Sequence, residues 1–313
     1  MFDFRSECNF SIVISYPISM NNNHPKPNLT RSIAVSIGED TSQIAKISAQ
    51  TLRWSGILLI ASVWLSAALF GLYILAFYAS SLYRGEMMDW NRMLPNLYRE
   101  NAVVATTGIG AHFLAGGVIL LLGSIQLVDW IRIKYPSVHR GIGKLYLVSS
   151  LVASIGGLVF IAIRGTVGGL TMDIGFSIYG ILMFLATVLT YRYAVKGQFD
   201  RHSAWALRLY ALAIGSWLYR MDYGFWTLLT GGLGRAGNFS GPFDLIMDFF
   251  FYVPNLLIAE VFIRVKNFKA SSFLKLTASL MVLVATGFVL LGTYFMTRFS
   301  WGPAIIGWFQ MDF

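Results

Sequence analysis

From residue 55 onward, long uninterrupted apolar runs alternate with short polar stretches rich in arginine and lysine. Seven runs qualify as membrane spans: about 55–80, 103–128, 143–164, 174–195, 205–225, 244–263 and 274–297. Each holds roughly 20 residues or more, and at about 1.5 Å rise per residue such a helix crosses about 30 Å of hydrocarbon. The pattern predicts an all-α fold, a polytopic membrane helix bundle of about seven transmembrane helices. Arg208, Arg220 and Asp222 crowd the ends of the fifth run. Pro254-Asn255 interrupts the sixth, where the missing backbone N–H should kink the helix. Residues 1–54 read as a polar, Asn- and Ser-rich tail without helical or strand periodicity, leaving 55–313 as the bundle.

Composition agrees with this class. Of 313 residues, 56% are hydrophobic and 12% charged, with a mean hydropathy of +0.62; ordinary soluble domains carry roughly a quarter charged residues. The net charge of +9 does not point to nucleic acid, because the charges lie in short loops between apolar spans. That placement is the pattern of topology signals and of contacts with lipid headgroups, anionic ones included. Counted on alternate sides of the spans, 17 Lys and Arg fall with the tail and 7 on the opposite side. The positive-inside rule then puts the N-terminus in the cytoplasm and the C-terminus outside, for a multi-pass protein of the cell membrane. The single cysteine, Cys8, excludes an intrachain disulfide and a zinc-thiolate site. No cleavable signal peptide is visible. Asn28 and Asn238 begin glycosylation sequons, which chance alone supplies often enough.

The chemistry concentrates on histidines. His24 lies in the tail; His139 precedes the third span and His202 the fifth, both on the side expected to be cytoplasmic. Their helices run parallel, so the two residues lie at similar depth. Arg140, Lys144 and Tyr146 accompany the first; Arg201, Trp205 and Arg208 accompany the second. Two facing imidazoles can ligate a b-type haem, with Arg140 or Arg208 on the propionates. Two helix starts bearing Arg and His can instead hold an anion such as a phospholipid headgroup. The same residues also serve widely as plain interfacial anchors.

A second group, His112, Arg164, Arg220 and Asp248, falls in the outer half of the membrane, on four different spans. Ionisable residues at that depth normally face the bundle interior and pair. Asp248 with Arg220 or Arg164 is the expected ion pair, with His112 adding a hydrogen bond or a proton acceptor. His112 lies too far from the inner edge of its span to share a metal with His139 or His202. Glu260 is placed to neutralise Arg264 or Arg208, and Gln126 lies within reach of the histidine loops.

The run Gly123-Ser124-Ile125-Gln126, then Arg132, Pro136 and His139-Arg140-Gly141-Ile142-Gly143-Lys144-Leu145-Tyr146, resembles the domain of unknown function 2306 family of predicted membrane proteins. So does His202-Ser203-Ala204-Trp205-Ala206-Leu207-Arg208 followed by Arg220, although Ala206 departs from the family's methionine. The resemblance covers about residues 100–265. It implies a membrane bundle built around those histidines and arginines, and it supplies no reaction.

The leading expectation is a haem-binding or redox membrane subunit, or a respiratory accessory protein within a membrane complex. His139 and His202 would hold one haem b, with no other metal. The alternatives are a transporter or lipid- and anion-interacting protein, and a purely structural subunit. Soluble-enzyme motifs, such as a phosphate-binding glycine loop or a nucleophile elbow, are absent.

Overall fold

A computed structural model describes residues 29–93, 97–264 and 271–310 of the chain. His24, Cys8 and the Asn28 of the first sequon lie outside them. Regular structure among the described residues is entirely helical. A long α1 (Leu29–Arg84) is followed by a short α2 (Trp90–Met93), α3 (Val103–Leu122), a small α4 (Asp129–Lys134), α5 (Pro136–Arg164) and α6 (Leu170–Val195). The second half holds α7 (Phe199–Ala213), α8 (Gly215–Thr230), α9 (Pro242–Phe250), α10 (Val253–Arg264), α11 (Ser272–Met296) and α12 (Gly302–Phe309). Six stretches are long and apolar enough to cross a membrane: Gln43–Arg84, Val103–Leu127, Pro136–Arg164, Leu170–Val195, Pro242–Arg264 and Ser272–Phe309. The chain is an all-α, multi-pass membrane bundle.

The structure departs from the sequence reading in three places, each with a physical reason. Helix α1 starts at Leu29, so residues 29–54 are helix where a tail without periodicity is expected. Ala45, Ala49, Gln43, Gln50 and Lys46 are strong helix formers, and a helix continued from a membrane span needs no amphipathic pattern of its own. The stretch 136–142, expected as a loop ahead of the third span, is the opening of α5, with Pro136 at the first helical position, where its missing N–H costs nothing. The fifth run is divided between α7 and α8, neither long enough alone to join the six.

Two of the long helical paths are therefore broken, and the breaks meet. In the sixth, Pro254 cannot donate to the carbonyl four residues back, and helix α9 ends at that residue, Phe250. Asn255 Nδ2 donates to the Phe251 carbonyl at 2.8 Å. The α7–α8 break falls at Ile214, and a Cβ on the next residue, Gly215, would lie 2.9 Å from that same Phe251 oxygen. Non-helical backbone at membrane depth persists only where protein encloses it, and each break shields the other.

Helix α8 separates two cores. Trp217 and Met221 face a cluster with Ala67, Phe70 and Val289, whereas Tyr219 and Tyr223 face one with Met183, Phe251 and Tyr252. At the centre of the first, Trp217 Nε1 donates to Ser66 Oγ at 2.9 Å, and Ser66 Oγ lies 2.6 Å from Thr293 Oγ1. Lipid-facing surfaces are apolar, as in the exposed Ile174, Ile178, Ile181 and Leu185 of α6. Helices accordingly meet through small residues, because hydrocarbon outside gives no hydrophobic push. At the tightest crossing, a Cβ on Gly156 of α5 would overlap the Gly108 carbonyl of α3.

That crossing admits no methyl group. Gly156→Ala should destabilise the protein by about 1–3 kcal/mol through overpacking. Gly287→Ala on α11, whose added Cβ meets nothing within 4 Å, should leave stability unchanged or slightly raised. Melting of the two variants in the same detergent checks this, and equal losses would refute it.

Candidate functional site

At the end of the bundle that carries Arg164, helices α3, α5, α6 and α8 enclose a cavity of about 580 Å³. It exists because several inward positions have little side chain: Gly116, Gly157 and Gly180 all line it. A Cβ on Gly157 would stand 3.0 Å from His112 Nδ1, so only glycine lets that ring lie against α5. The His112 Nδ1 to Ala153 carbonyl distance is 2.6 Å. A carbonyl only accepts, so Nδ1 carries the proton, and Nε2 of the neutral ring is left as an acceptor.

Three arginines, Arg99, Arg164 and Arg220, share the lining with His112. Arg220 matters most, since it rises from α8 in the middle of the fold. Its guanidinium carbon lies 5.5 Å from the Tyr219 ring centre, within electrostatic reach of His112, Tyr73 and Tyr78. Among the described residues it has no ion-pair partner. Phe176, Tyr219 and Phe251 stack edge to face along one wall and give the cavity an apolar, aromatic side.

The structure thus brings three of the four outer residues together and leaves Asp248 out. The ion pair expected between Asp248 and Arg220 or Arg164 does not form. Both Asp248 carboxylate oxygens are buried without a hydrogen-bond partner, and Asp248 does not line the cavity. The reason lies in α9: the Asp248 backbone and Cβ are pressed against Gly175 of α6.

A neighbouring acid has the structural role. Asp244, fully buried, accepts from Tyr223 Oη at 2.8 Å, from the Ala236 amide at 2.8 Å and from the Gly241 amide at 3.0 Å. These bonds tie the loop 231–241 to α8 and α9, and Gly237, Asn238 and Phe239 of that loop close the cavity mouth. The loop's left-handed positions are Gly231, Gly232, Gly234 and, without a glycine's freedom, Phe239. The sequence reading passed over Asp244; the signal for it is an acid at the third position of a helix that opens with Gly-Pro, a capping arrangement.

At the opposite end, His139 opens α5 and His202 opens α7. His139 lies within electrostatic reach of Arg132, Arg140 and His202. The His202 Nδ1 to Thr190 carbonyl distance is 2.9 Å, so its Nε2 is the open nitrogen. His139 Nδ1 is buried with no partner. Arg208 is already committed: its Nε and Nη2 donate to Glu260 Oε2 at 3.0 and 2.6 Å, and its guanidinium lies 4.7 Å from the Trp205 ring centre. Glu260 Oε1 also accepts from Arg264 Nε at 2.8 Å, so the glutamate pairs with both expected partners and the trio keeps one net positive charge. Arg140 reaches only Ser137 Oγ, at 3.4 Å, and is exposed. Ala153, beside His112, is 14 residues further along α5 than His139, or about 21 Å, so the two histidine sites are separate.

The Asp244 bonds carry a prediction. Asp244→Ala leaves one hydroxyl and two amides without their acceptor, each at about 1–3 kcal/mol. A large drop in melting temperature is expected, with faster trypsin cleavage after the exposed Arg235. Unchanged cleavage would show that the loop is held by something else.

Residues 109–263 match the model of a family described as predicted membrane protein (DUF2306). Searches of curated proteins and of solved structures return no match. The matched segment holds α5 to α10 and most of α3, together with all eight residues of the two histidine sites. The family that the sequence resembles is therefore the one whose model residues 109–263 match, the DUF2306 family of predicted membrane proteins.

Proposed function

We propose that this protein binds an anionic amphiphile, taken up from the bilayer, in the cavity between α3, α5, α6 and α8. The observation that carries the reading is Arg220, a cation in an apolar cavity with no ion-pair partner among the described residues. Arg220 is half-buried, and an arginine at membrane depth is costly unless it is paired. A carboxylate or phosphate head beside Arg220 supplies the missing charge. Arg164 and Arg99 add positive potential, and His112 Nε2 accepts a bond from a protonated head. An acyl or prenyl tail fits the aromatic wall, and the volume lies in the usual range for small-molecule sites. This is the chemistry of a lipid-handling or transport protein, and a cell membrane with the histidine end in the cytoplasm is the setting the charge asymmetry favours.

Detergent-purified protein titrated with oleate and with phosphatidate tests the reading. Ligand at about 100-fold over its Kd stabilises by about 2.7 kcal/mol, which a melting curve resolves. The shift should vanish in Arg220→Gln and survive in Arg140→Gln. Loss in Arg140→Gln alone would move the anion site to the histidine end, and no shift with either lipid would remove the reading.

A second reading is haem b between His139 and His202. It is favoured by the His202 ring, whose Nδ1 bond to Thr190 presents Nε2 in the manner of a metal-bound imidazole. Arg208, held by Glu260, is no longer free for a propionate. Ferric haem added to the folded protein should give a Soret band that His202→Ala abolishes. Absence of the band removes this reading and leaves the cavity untouched.

A further inference from the structure

One face of α5 carries polar or small residues from His139 to Gly157. His139, Gly143, Tyr146, Ser150, Ser154 and Gly157 follow one another at three- and four-residue steps, which places them on one side of the helix. The line starts at the histidine end and finishes at the cavity, which Ser154 and Gly157 line. Small residues alone would mean close packing, but three polar atoms beside this face are buried and unsatisfied. They are His139 Nδ1, Gln126 Nε2 and Tyr146 Oη.

Their placement is consecutive. A Cβ on Gly143, one turn beyond His139, would lie 3.1 Å from Gln126 Oε1. One turn before Gln126, a Cβ on Gly123 would lie 3.2 Å from the Tyr146 ring and 3.3 Å from the Tyr210 ring. Tyr210 Oη is 2.8 Å from Ser124 Oγ. Tyr146 lies within electrostatic reach of Tyr210 and Tyr179, and Tyr179 lines the cavity. The Tyr146 side chain is 95% buried by its 5% exposure, so bulk solvent does not satisfy its hydroxyl. Buried groups of this kind are normally satisfied by ordered water, each molecule making about three bonds.

We infer that a file of water runs along this face of α5, from His139 past Gln126 and Tyr146 into the cavity, and conducts protons between the histidine end and the cavity. A proton enters from the medium at the histidine end, passes by exchange of hydrogen bonds along water and the tyrosine hydroxyl, and leaves into the cavity. No electron moves and no co-reactant is needed. The charged groups facing the entrance are Arg132 of α4, Arg140 of α5 and His202 of α7. The file depends on the cavity itself and not on its ligand. If the cavity does take an anion, each proton delivered cancels one of its charges.

Proteoliposomes loaded with a pH-sensitive dye and driven by a valinomycin potassium potential provide the test. Wild-type protein should carry protons faster than protein-free vesicles. Gln126→Leu together with Tyr146→Phe should return the rate to that of protein-free vesicles, while the Arg220-dependent melting shift with lipid persists and shows the fold intact. Where the double variant does not fold, the near-isosteric Tyr146→Phe alone is read in the same assay and should slow the flux. A wild-type rate equal to protein-free vesicles, or an unchanged rate in these variants, overturns the inference. Lipid binding without flux sinks the water file and keeps the cavity reading; flux without lipid binding does the reverse.

Discussion

The contact between Gly108 of α3 and Gly156 of α5 governs the arrangement of the bundle. In water, two helices are driven together by burying apolar surface. In hydrocarbon that drive is absent, so association rests on how closely the backbones fit. With carbonyl oxygen against Cα at this crossing, α3 and α5 lie as near as helices can, and the position of everything beyond follows. One turn from Gly108, His112 is pressed on Gly157 and bonded to Ala153. Beside the crossing, Gly116, Gly157 and Gly180 leave the space between α3, α5, α6 and α8 unfilled, and that space is the cavity.

The two broken paths complete this arrangement from the other side. Each break exposes backbone that lipid could not satisfy, so the breaks had to be enclosed, and they are enclosed by one another at Gly215 and Phe251. Breaking α7–α8 at Ile214 lets α8 present Tyr219 and Arg220 to the cavity. Breaking α9–α10 at Phe251 places that phenyl ring on the cavity wall. Polar chemistry and irregular backbone therefore occur together, in the part of the molecule best shielded from lipid.

The sequence shows the fold class through its run lengths, and it shows the outer cluster through the cost of ionisable residues in lipid: His112, Arg164 and Arg220 do converge. Glu260 was legible as a partner for Arg264 or Arg208 for the same reason, and it takes both. Pro254 announced the break in the sixth path. Asp248 was misread because charge at membrane depth indicates the need for a partner and not the direction of a side chain; only the contact with Gly175 sets that. The cavity itself was not legible. Glycines in a span mean close approach in one register and empty space in another, and the difference lies in what the facing helix presents. The helical start at Leu29 was hidden because a helix held at one end needs no periodic pattern to extend.

The bond of Ser66 to both Trp217 and Thr293 bears on how the molecule is made. Ser66 is synthesised 151 residues before Trp217 and 227 before Thr293. At about 5–20 residues per second, translation separates the first of these residues from the last by roughly 10–50 seconds. Through that interval α1 lies in the bilayer with a hydroxyl whose final partners do not yet exist. Its own helix can lend a carbonyl, which makes waiting tolerable. Trp64 of α1 donates to the Leu121 carbonyl of α3 at 3.2 Å, so α1 docks on α3 as soon as that helix is made and gains its remaining partners only when α11 arrives.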